Sequence, residues 1–230
     1  MTTVLMSKNG YENIYVNSDA VSDHIRLGWV RAEIGYGKQA ISMPDGSTLD
    51  ISGQLNLVDT YWDDLRFPVS GINPPGAVSD PALDTTDGRL SFSATATNMI
   101  AIQVQMSHSW KEGTSIIPHL HWSPTSSNTG NVKWELQYKI ANVNDVFPAS
   151  WTTITVLSAG SGVADTHQIG SFGEVDMTGK TLSCMILMLI SRLGADPQDT
   201  YSAACKLNEV DIHYQIDAIG SDAEYTKVQS

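Results

Sequence analysis

Positive charge and cysteine are both scarce in this sequence. Its 230 residues include 13 Lys and Arg against 25 Asp and Glu, which gives a formal net charge of −12, and they contain no basic run. An acidic surface repels phosphate backbones, so we expect no direct binding of nucleic acid. The two cysteines, Cys184 and Cys205, fall in separate predicted strands without a CxxC spacing, and we expect buried free thiols.

Long apolar segments are missing too. The longest apolar run, residues 185–190, is far too short to span a bilayer, which takes about 20 apolar residues in a helix. The N-terminus lacks the basic segment, apolar region and small-residue cleavage site of a classical signal peptide. We therefore expect synthesis in a cytoplasm, with no membrane anchor and no membrane partner.

The sequence patterns of common catalytic and cofactor sites are also absent. There is no GxSxG motif, no GxxxxGK[ST] loop and no GxGxxG between a strand and a helix. Asp63 and Asp64 are adjacent, and neighbours in an extended chain point in opposite directions, unlike the facing carboxylates of a glycosidase. We predict that the protein is not an enzyme, has no catalytic, cofactor-binding or metal-binding residues and uses no cofactor.

Two histidines form the most suggestive pattern. His119 and His121 lie two positions apart on a predicted strand and so project from one face, with a preceding glycine at the spacing that opens the cupin metal signature. The glutamate that cupins place after the second histidine is absent, and a metal site would need His108, His213 or a distant carboxylate. The favoured interpretation is two polar positions on an exposed or interface face, with Pro118 marking an edge or bulge.

Several tryptophans are candidates for a platform on which sugar rings could stack. Trp134 alternates with charged residues within residues 131–140, which predicts that it points inward. Core packing is therefore the favoured interpretation for most of the candidates, and sugar binding is the alternative. The candidates are Trp110, Trp122, Trp134 and Trp151.

Alternation of apolar and polar residues predicts an all-β fold with a jelly-roll β-sandwich body. The run CMILMLI at residues 184–190 lacks alternation, which indicates a strand covered on both faces, in the centre of the sandwich or in a subunit interface. Eight strands, the jelly-roll number, are predicted in the body. They lie at residues 89–95, 99–108, 115–122, 131–140, 151–157, 166–172, 182–192 and 206–217.

Composition divides the chain into three regions. Residues 1–53 are predicted to form a small N-terminal α+β attachment module with one short helix in 18–28, residues 54–221 the jelly-roll body, and residues 222–230 a polar tail. Within the body, residues 63–88 are rich in Pro and Gly and almost aperiodic. A loop of this length is typical of an inter-subunit contact or of a cover over the end of the sandwich.

Four segments of the body resemble a broad group of virion proteins from tailed bacteriophages and prophages. The segments are YWDDLRFPV (61–69), SHSWKEGTSIIPHLHW (107–122), VKWELQYKIANVNDVF (132–147) and EVDIHYQIDAIGS (209–221). The resemblance covers about residues 60–221 and carries over no catalytic residues.

That resemblance implies a structural component of the virion, either a head decoration, a neck or collar protein, or a tail-associated protein. It implies assembly as a homotrimer that also contacts other virion proteins. Two alternatives stay open: a carbohydrate-binding or receptor-binding module of the virion that recognises a host-surface glycan, and a cupin-like metalloprotein.

Overall fold

The chain divides into two compact units, residues 1–51 and 52–230. The computed structural model describes residues 3–8, 14–17, 30–32, 56–72, 74, 76, 79–221 and 223–227. In the first unit, strand β1 (Thr3–Ser7) pairs antiparallel with both β2 (Ile14–Asn17) and β3 (Val30–Ala32). The helix predicted in residues 18–28 lies outside the described residues.

The described residues of the second unit are antiparallel strands and loops, with a short 3-10 turn at Val69–Gly71. In the parts of the chain that the structure describes, no helix is long and apolar enough to cross a membrane. The strands are β4 (Asn56–Pro68), β5 (Ala82–Leu83), β6 (Leu90–Phe92), β7 (Thr97–Gln105), β8 (Ile117–Pro124), β9 (Asn131–Ala141), β10 (Thr152–Ala159), β11 (Gln168–Ser171), β12 (Met185–Leu193) and β13 (Cys205–Ala218).

These strands form the two sheets of a jelly-roll sandwich. One sheet has the order β10-β9-β12-β7, and the other runs β11-β8-β13. Beyond β13, β6 and then β5 continue the second sheet at one end of that strand, while β4 pairs with the other end. From β6 onward each strand lies in the opposite sheet to the one before it, except that β9 and β10 pair within one sheet, which is the order of a jelly roll. The predicted all-β jelly-roll fold is confirmed.

The eight predicted body strands each overlap one of the strands β6 to β13. The predicted loop, in contrast, begins too early, because residues 63–68 belong to β4 and pair with β13. Leu65 and Phe67 are half-buried against the core, but Asp63 on the same face and Asp64 on the opposite face are both exposed, so the alternation of burial is weak. Backbone pairing with β13 holds this segment extended, and a hydrophobic pattern does not report such pairing.

Aromatic side chains fill the space between the sheets. Trp110, Trp122 and Trp134 have no exposed surface, which confirms the predicted inward position of Trp134. The ring of Trp134 packs edge-on against Phe92, with centroids 5.3 Å apart, and against Trp122 at 6.4 Å. Trp151 is 37% exposed and lies under a lysine ammonium group. Three of the four candidate sugar-stacking tryptophans are therefore core residues.

Both cysteines are buried and free, as predicted. Burial raises the pKa of the Cys184 thiol to about 11 and that of the Cys205 thiol to about 12. Because the thiolate is the reactive form of cysteine, these thiols are chemically inert at neutral pH.

A buried ion pair holds the connection between β12 and β13. The Arg192 guanidinium donates two hydrogen bonds to the Asp199 carboxylate, from Nε (2.9 Å) and Nη2 (2.8 Å), and neither side chain is exposed to solvent. Its remaining N–H groups donate to the backbone carbonyls of Phe92, Tyr201 and Ala203. A single side chain thus ties the β12–β13 connection to the end of β6.

Candidate functional site

Four of the six histidines of the chain lie close together on the outer face of the larger sheet. Strand pairing explains this placement, because directly opposed residues of antiparallel strands share a face. Asp211 of β13 lies opposite His119 of β8, and His213 lies opposite Asp64 of β4. The four histidines, His119, His121, His167 and His213, are called the histidine cluster below.

An irregularity in β13 shapes this face. The register between β13 and β8 shifts between Leu207 and Glu209, so that Leu207 pairs with Trp122 and Glu209 pairs with His121. One additional residue, Asn208, is accommodated there, which is the definition of a β-bulge. Leu207 remains in the core while Asn208 and Glu209 both line the outer face beside the histidine cluster.

The Asp211 carboxylate lies between two imidazole rings. Its Oδ1 atom is 2.5 Å from Nε2 of His119, and its Oδ2 atom is 3.1 Å from Nε2 of His121. The side chains of Asp211 and His119 are almost fully buried, and that of His121 is 18% exposed. Despite the short contact, the buried Oδ1 atom accepts no well-directed hydrogen bond from any residue that the structure describes.

The other ring nitrogens of these two histidines have partners of their own. Nδ1 of His119 lies 3.4 Å from the carbonyl oxygen of Ile117, to which its N–H donates. Nδ1 of His121 lies 2.5 Å from Nε2 of His167, and the two rings are stacked with centroids 4.8 Å apart. Both Nε2 atoms are thereby directed at the Asp211 carboxylate.

Electrostatics keep Asp211 ionised. Burial by itself would raise the pKa of its carboxyl, but the short contact with His119, the hydrogen bond with His121 and the charge of these imidazoles outweigh burial and lower it below the ordinary value. For His119, burial acts to lower the pKa of the imidazole, but the short contact with Asp211 and the charge of that carboxylate raise it above the ordinary value. The site therefore contains a buried carboxylate with a negative charge.

Two overlapping groups on this face could hold a metal ion, and both include Asp211. The first is His119, His121 and Asp211, and the second is Asp64, Asp211 and His213, with the ligand atoms of each group within 4.8 Å of one another. In the second group, Nε2 of His213 lies 3.0 Å from Asp64, but both side chains are 42% exposed. Imidazole nitrogen and carboxylate oxygen suit a borderline divalent ion such as Zn²⁺.

An open polar cavity of about 440 Å³ adjoins the first group. Arg66 lies in its wall and donates two hydrogen bonds to Glu209, from Nε (2.8 Å) and Nη2 (2.7 Å). Trp62 of β4 alternates with Asp64 and Arg66, so it projects from the same outer face, and it is 54% exposed. The cavity is lined by Asp64, Arg66, His121, His167, Asn208, Glu209 and Asp211.

The structure brings together only part of what the sequence suggested. His119 and His121 share a face as predicted. The prediction that both are exposed is wrong for His119, whose side chain is buried. Pro118 lies in β8, between β11 and β13 in the sheet, and so does not mark an edge. His108 lies apart from the cluster and hydrogen-bonds to two serines, Ser183 and Ser221.

Asp211, His167 and Asp64 were not predicted from the sequence as parts of a metal site. A signal for one of them was present, because Asp211 and His213 are two positions apart on a predicted strand and so repeat the spacing of the two histidines on β8. The prediction that the protein has no metal-binding residues stays a prediction.

No protein-family model and no curated protein matches the sequence. Similar solved structures include the CBM35 from Cellvibrio japonicus Abf62, with 10% identity over 73% of this chain and 100% of that chain and a TM-score of 0.40. A family 35 carbohydrate-binding module from an environmental isolate has 9% identity over 61% of this chain and 90% of its own, with a TM-score of 0.35. A chain of infectious bursal disease virus, Gx strain, has 11% identity over 82% of this chain and 40% of its own, with a TM-score of 0.35. The likeness to these structures is confined to the fold.

Proposed function

We propose that this chain is a non-enzymatic structural component of a tailed-phage virion, made in the host cytoplasm, which assembles as a homotrimer and contacts other virion proteins. The observation that carries the proposal is an apolar row on the outside of the smaller sheet. The row consists of Met185, Leu187 and Leu189 of β12. The resemblance of residues 60–221 to phage virion proteins supports the same function.

The apolar row is left partly uncovered by the chain's own residues. On β12, Ile186, Met188 and Ile190 are buried between the sheets, whereas the residues of the row point outward and are only half-buried. On the neighbouring strand β7, Ala101 lies opposite Leu189 and extends the apolar surface. Gln103 lies opposite Leu187 and ends it. An outward row of this kind is typical of a subunit interface.

The contact gains strength from repetition. Burial of a fully exposed leucine side chain contributes about 1.5–3 kcal/mol, and the two leucines of the row, which are already half-buried, each contribute less than that. In a closed ring every subunit makes the contact, so the contributions accumulate around the symmetry axis. The row also explains why the sequence of β12 lacks alternation: one face belongs to the core and the other to the proposed assembly.

A charge in the row should therefore break the assembly. We expect the wild-type protein to scatter light with about three times the mass of one chain, and Leu187→Glu to have the mass of one chain, because a carboxylate in the interface would lose its hydration. The matched control is Thr153→Glu, at an exposed position two strands away on the same sheet, which should remain trimeric. A wild-type protein that is monomeric at all concentrations would contradict the proposal.

A carbohydrate-binding role for the virion protein is a second candidate, favoured by the position of Trp62. This ring is exposed on the same face as the polar cavity, whereas Trp110, Trp122 and Trp134 are buried. An exposed ring on a face that also carries charged and amide groups is an arrangement that can bind a sugar by stacking and hydrogen bonding.

The second candidate is tested on an array of bacterial surface glycans. If it is correct, the wild-type protein binds at least one glycan and Trp62→Ala weakens that binding about tenfold or more, the effect of losing a central aromatic contact. Trp151→Ala, which removes the partly exposed tryptophan of the other sheet, should leave binding unchanged. Equal binding by all three proteins excludes the cavity face as the glycan site.

A further inference from the structure

The arrangement around Asp211 differs from that of a simple ion pair. The Asp211 carboxylate faces two imidazole Nε2 atoms, at 2.5 Å and 3.1 Å. The side chains of Asp211 and His119 are almost fully buried. A buried charged group is costly unless its polar atoms are satisfied, yet Oδ1 of Asp211 lacks a well-directed hydrogen bond from the described residues. A cation between the three groups would satisfy that oxygen.

The partners of the two histidines are those expected of metal ligands. A histidine that binds a metal through one ring nitrogen commonly has the other nitrogen hydrogen-bonded, which fixes both the tautomer and the orientation of the ring. His119 has such a bond to the Ile117 carbonyl, and His121 has one to His167. Metal binding would release the proton that each Nε2 atom holds toward Asp211 while both Nδ1 atoms keep theirs, so that the two Nε2 lone pairs become available to the ion.

We propose that His119, His121 and Asp211 bind one divalent transition-metal ion of the zinc class, and that its remaining coordination position faces the polar cavity. This inference is independent of the assembly proposed above. Ligands bound at about 2.0–2.1 Å around a tetrahedral ion lie roughly 3.3 Å apart, so the two Nε2 atoms need to move outward from the carboxylate by less than an ångström. His167 is a positioning residue for His121.

The ion would join two strands that the backbone already pairs. His119 and His121 belong to β8 and Asp211 to β13, and Asp211 also lies opposite Arg66 of β4. Because the open position faces a cavity wide enough for small molecules, water or an oxygen ligand could complete the coordination.

Binding is tested with the metal alone on the full chain. After chelator treatment and dialysis, calorimetric titration with Zn²⁺ should show one ion per chain and a rise in Tm, and Co²⁺ should give the visible absorption of a tetrahedral site. The diagnostic variant is His121→Gln, because His121 is the most exposed of the three ligands and its replacement should leave the metal-free fold intact. It should bind Zn²⁺ about 100-fold or more weakly, beyond the 10–100-fold typical of the loss of an outer-shell partner.

Two further variants make the assignment specific. His167→Gln should weaken Zn²⁺ binding by about 10–100-fold while the Co²⁺ spectrum keeps its tetrahedral form, as expected of a positioning residue. His108→Gln replaces a histidine outside the cluster and should bind Zn²⁺ like the wild type.

Three results would overturn the proposal. The first is a wild-type protein that binds less than one Zn²⁺ per chain, which would make the cluster a metal-free network of hydrogen bonds. The second is equal affinity in the wild type and in His121→Gln when both have the same metal-free Tm. The third is binding lost in His213→Gln but kept in His121→Gln, which would place the ion in the more exposed group around Asp64.

Discussion

Replacing Arg192 by methionine is expected to lower the free energy of unfolding by about 3–5 kcal/mol, the cost of removing one partner of a buried ion pair. The variant leaves the Asp199 carboxylate, which has no exposed surface, without its cation. It also leaves the carbonyls of Phe92, Tyr201 and Ala203 without their donor. Urea denaturation followed by tryptophan fluorescence, at a fixed protein concentration, measures the change.

Arg66→Met is the matched control for this experiment. Arg66 also makes two hydrogen bonds to a carboxylate, that of Glu209, but its side chain is 68% exposed. Water replaces the lost bonds at such a site, so we expect the midpoint of unfolding to change little. If Arg192→Met were as stable as Arg66→Met, the buried pair would not hold the β12–β13 connection.

Trp134→Ala is expected to cost about 3–5 kcal/mol, because it empties the space between the two sheets. Trp134 is fully buried, and its ring is in edge-on contact with both Phe92 and Trp122. These neighbours belong to β6 and β8 of the opposite sheet, and paired backbones prevent the two sheets from closing over the cavity. Thermal and urea unfolding of the variant provide the measurement.

The contrast with two other tryptophan variants tests the cause of this loss. Trp151→Ala removes a ring that is 37% exposed, so its effect should be much smaller, about 1 kcal/mol or less. Trp134→Phe should be milder than Trp122→Phe, because Nε1 of Trp134 has no hydrogen-bond partner among the described residues whereas Nε1 of Trp122 donates to Ser158 at 3.0 Å. Equal losses in Trp134→Ala and Trp151→Ala would contradict the central role of Trp134.

The strands of the sandwich could be predicted wherever one face is buried and the other is wet. In β9, Val132, Trp134 and Leu136 are buried while the residues between them are partly exposed, which is the alternation that the sequence displays. The same reasoning failed for residues 63–68, where Leu65 and Phe67 are only half-buried against the core and backbone pairing with β13 also maintains the strand. The non-alternating β12 was expected to be covered on both faces, but the chain alone covers only one of them fully.

The candidate site was less predictable than the fold, because period-two alternation gives the face of a residue but not the neighbour of its strand. His121 and Asp211 are 90 positions apart in the sequence, and only the adjacency of β8 and β13 brings them together. His167 comes from a third segment, 46 positions from His121. Two histidines at a suggestive spacing were therefore visible, while the carboxylate between them was not.

The central position of β13 has a consequence for folding during synthesis. This strand follows all the other described strands in the sequence, yet it lies between β8 on one side and both β4 and β6 on the other. Arg66 and Glu209, which face each other across the pairing of β4 with β13, are separated by 143 positions. Such distant pairing makes folding slow, since the closing of a long loop precedes the gain from contacts.

Until the ribosome has released β13, the nascent larger sheet consists of separate pieces: β4, the β5–β6 pair and the β8–β11 pair. Their unpaired edges are open to other chains in that interval, which makes the newly made protein vulnerable to aggregation and to binding by chaperones. The Asp211 carboxylate arrives on the same last strand, so a metal ion could bind only to a chain whose larger sheet is already complete.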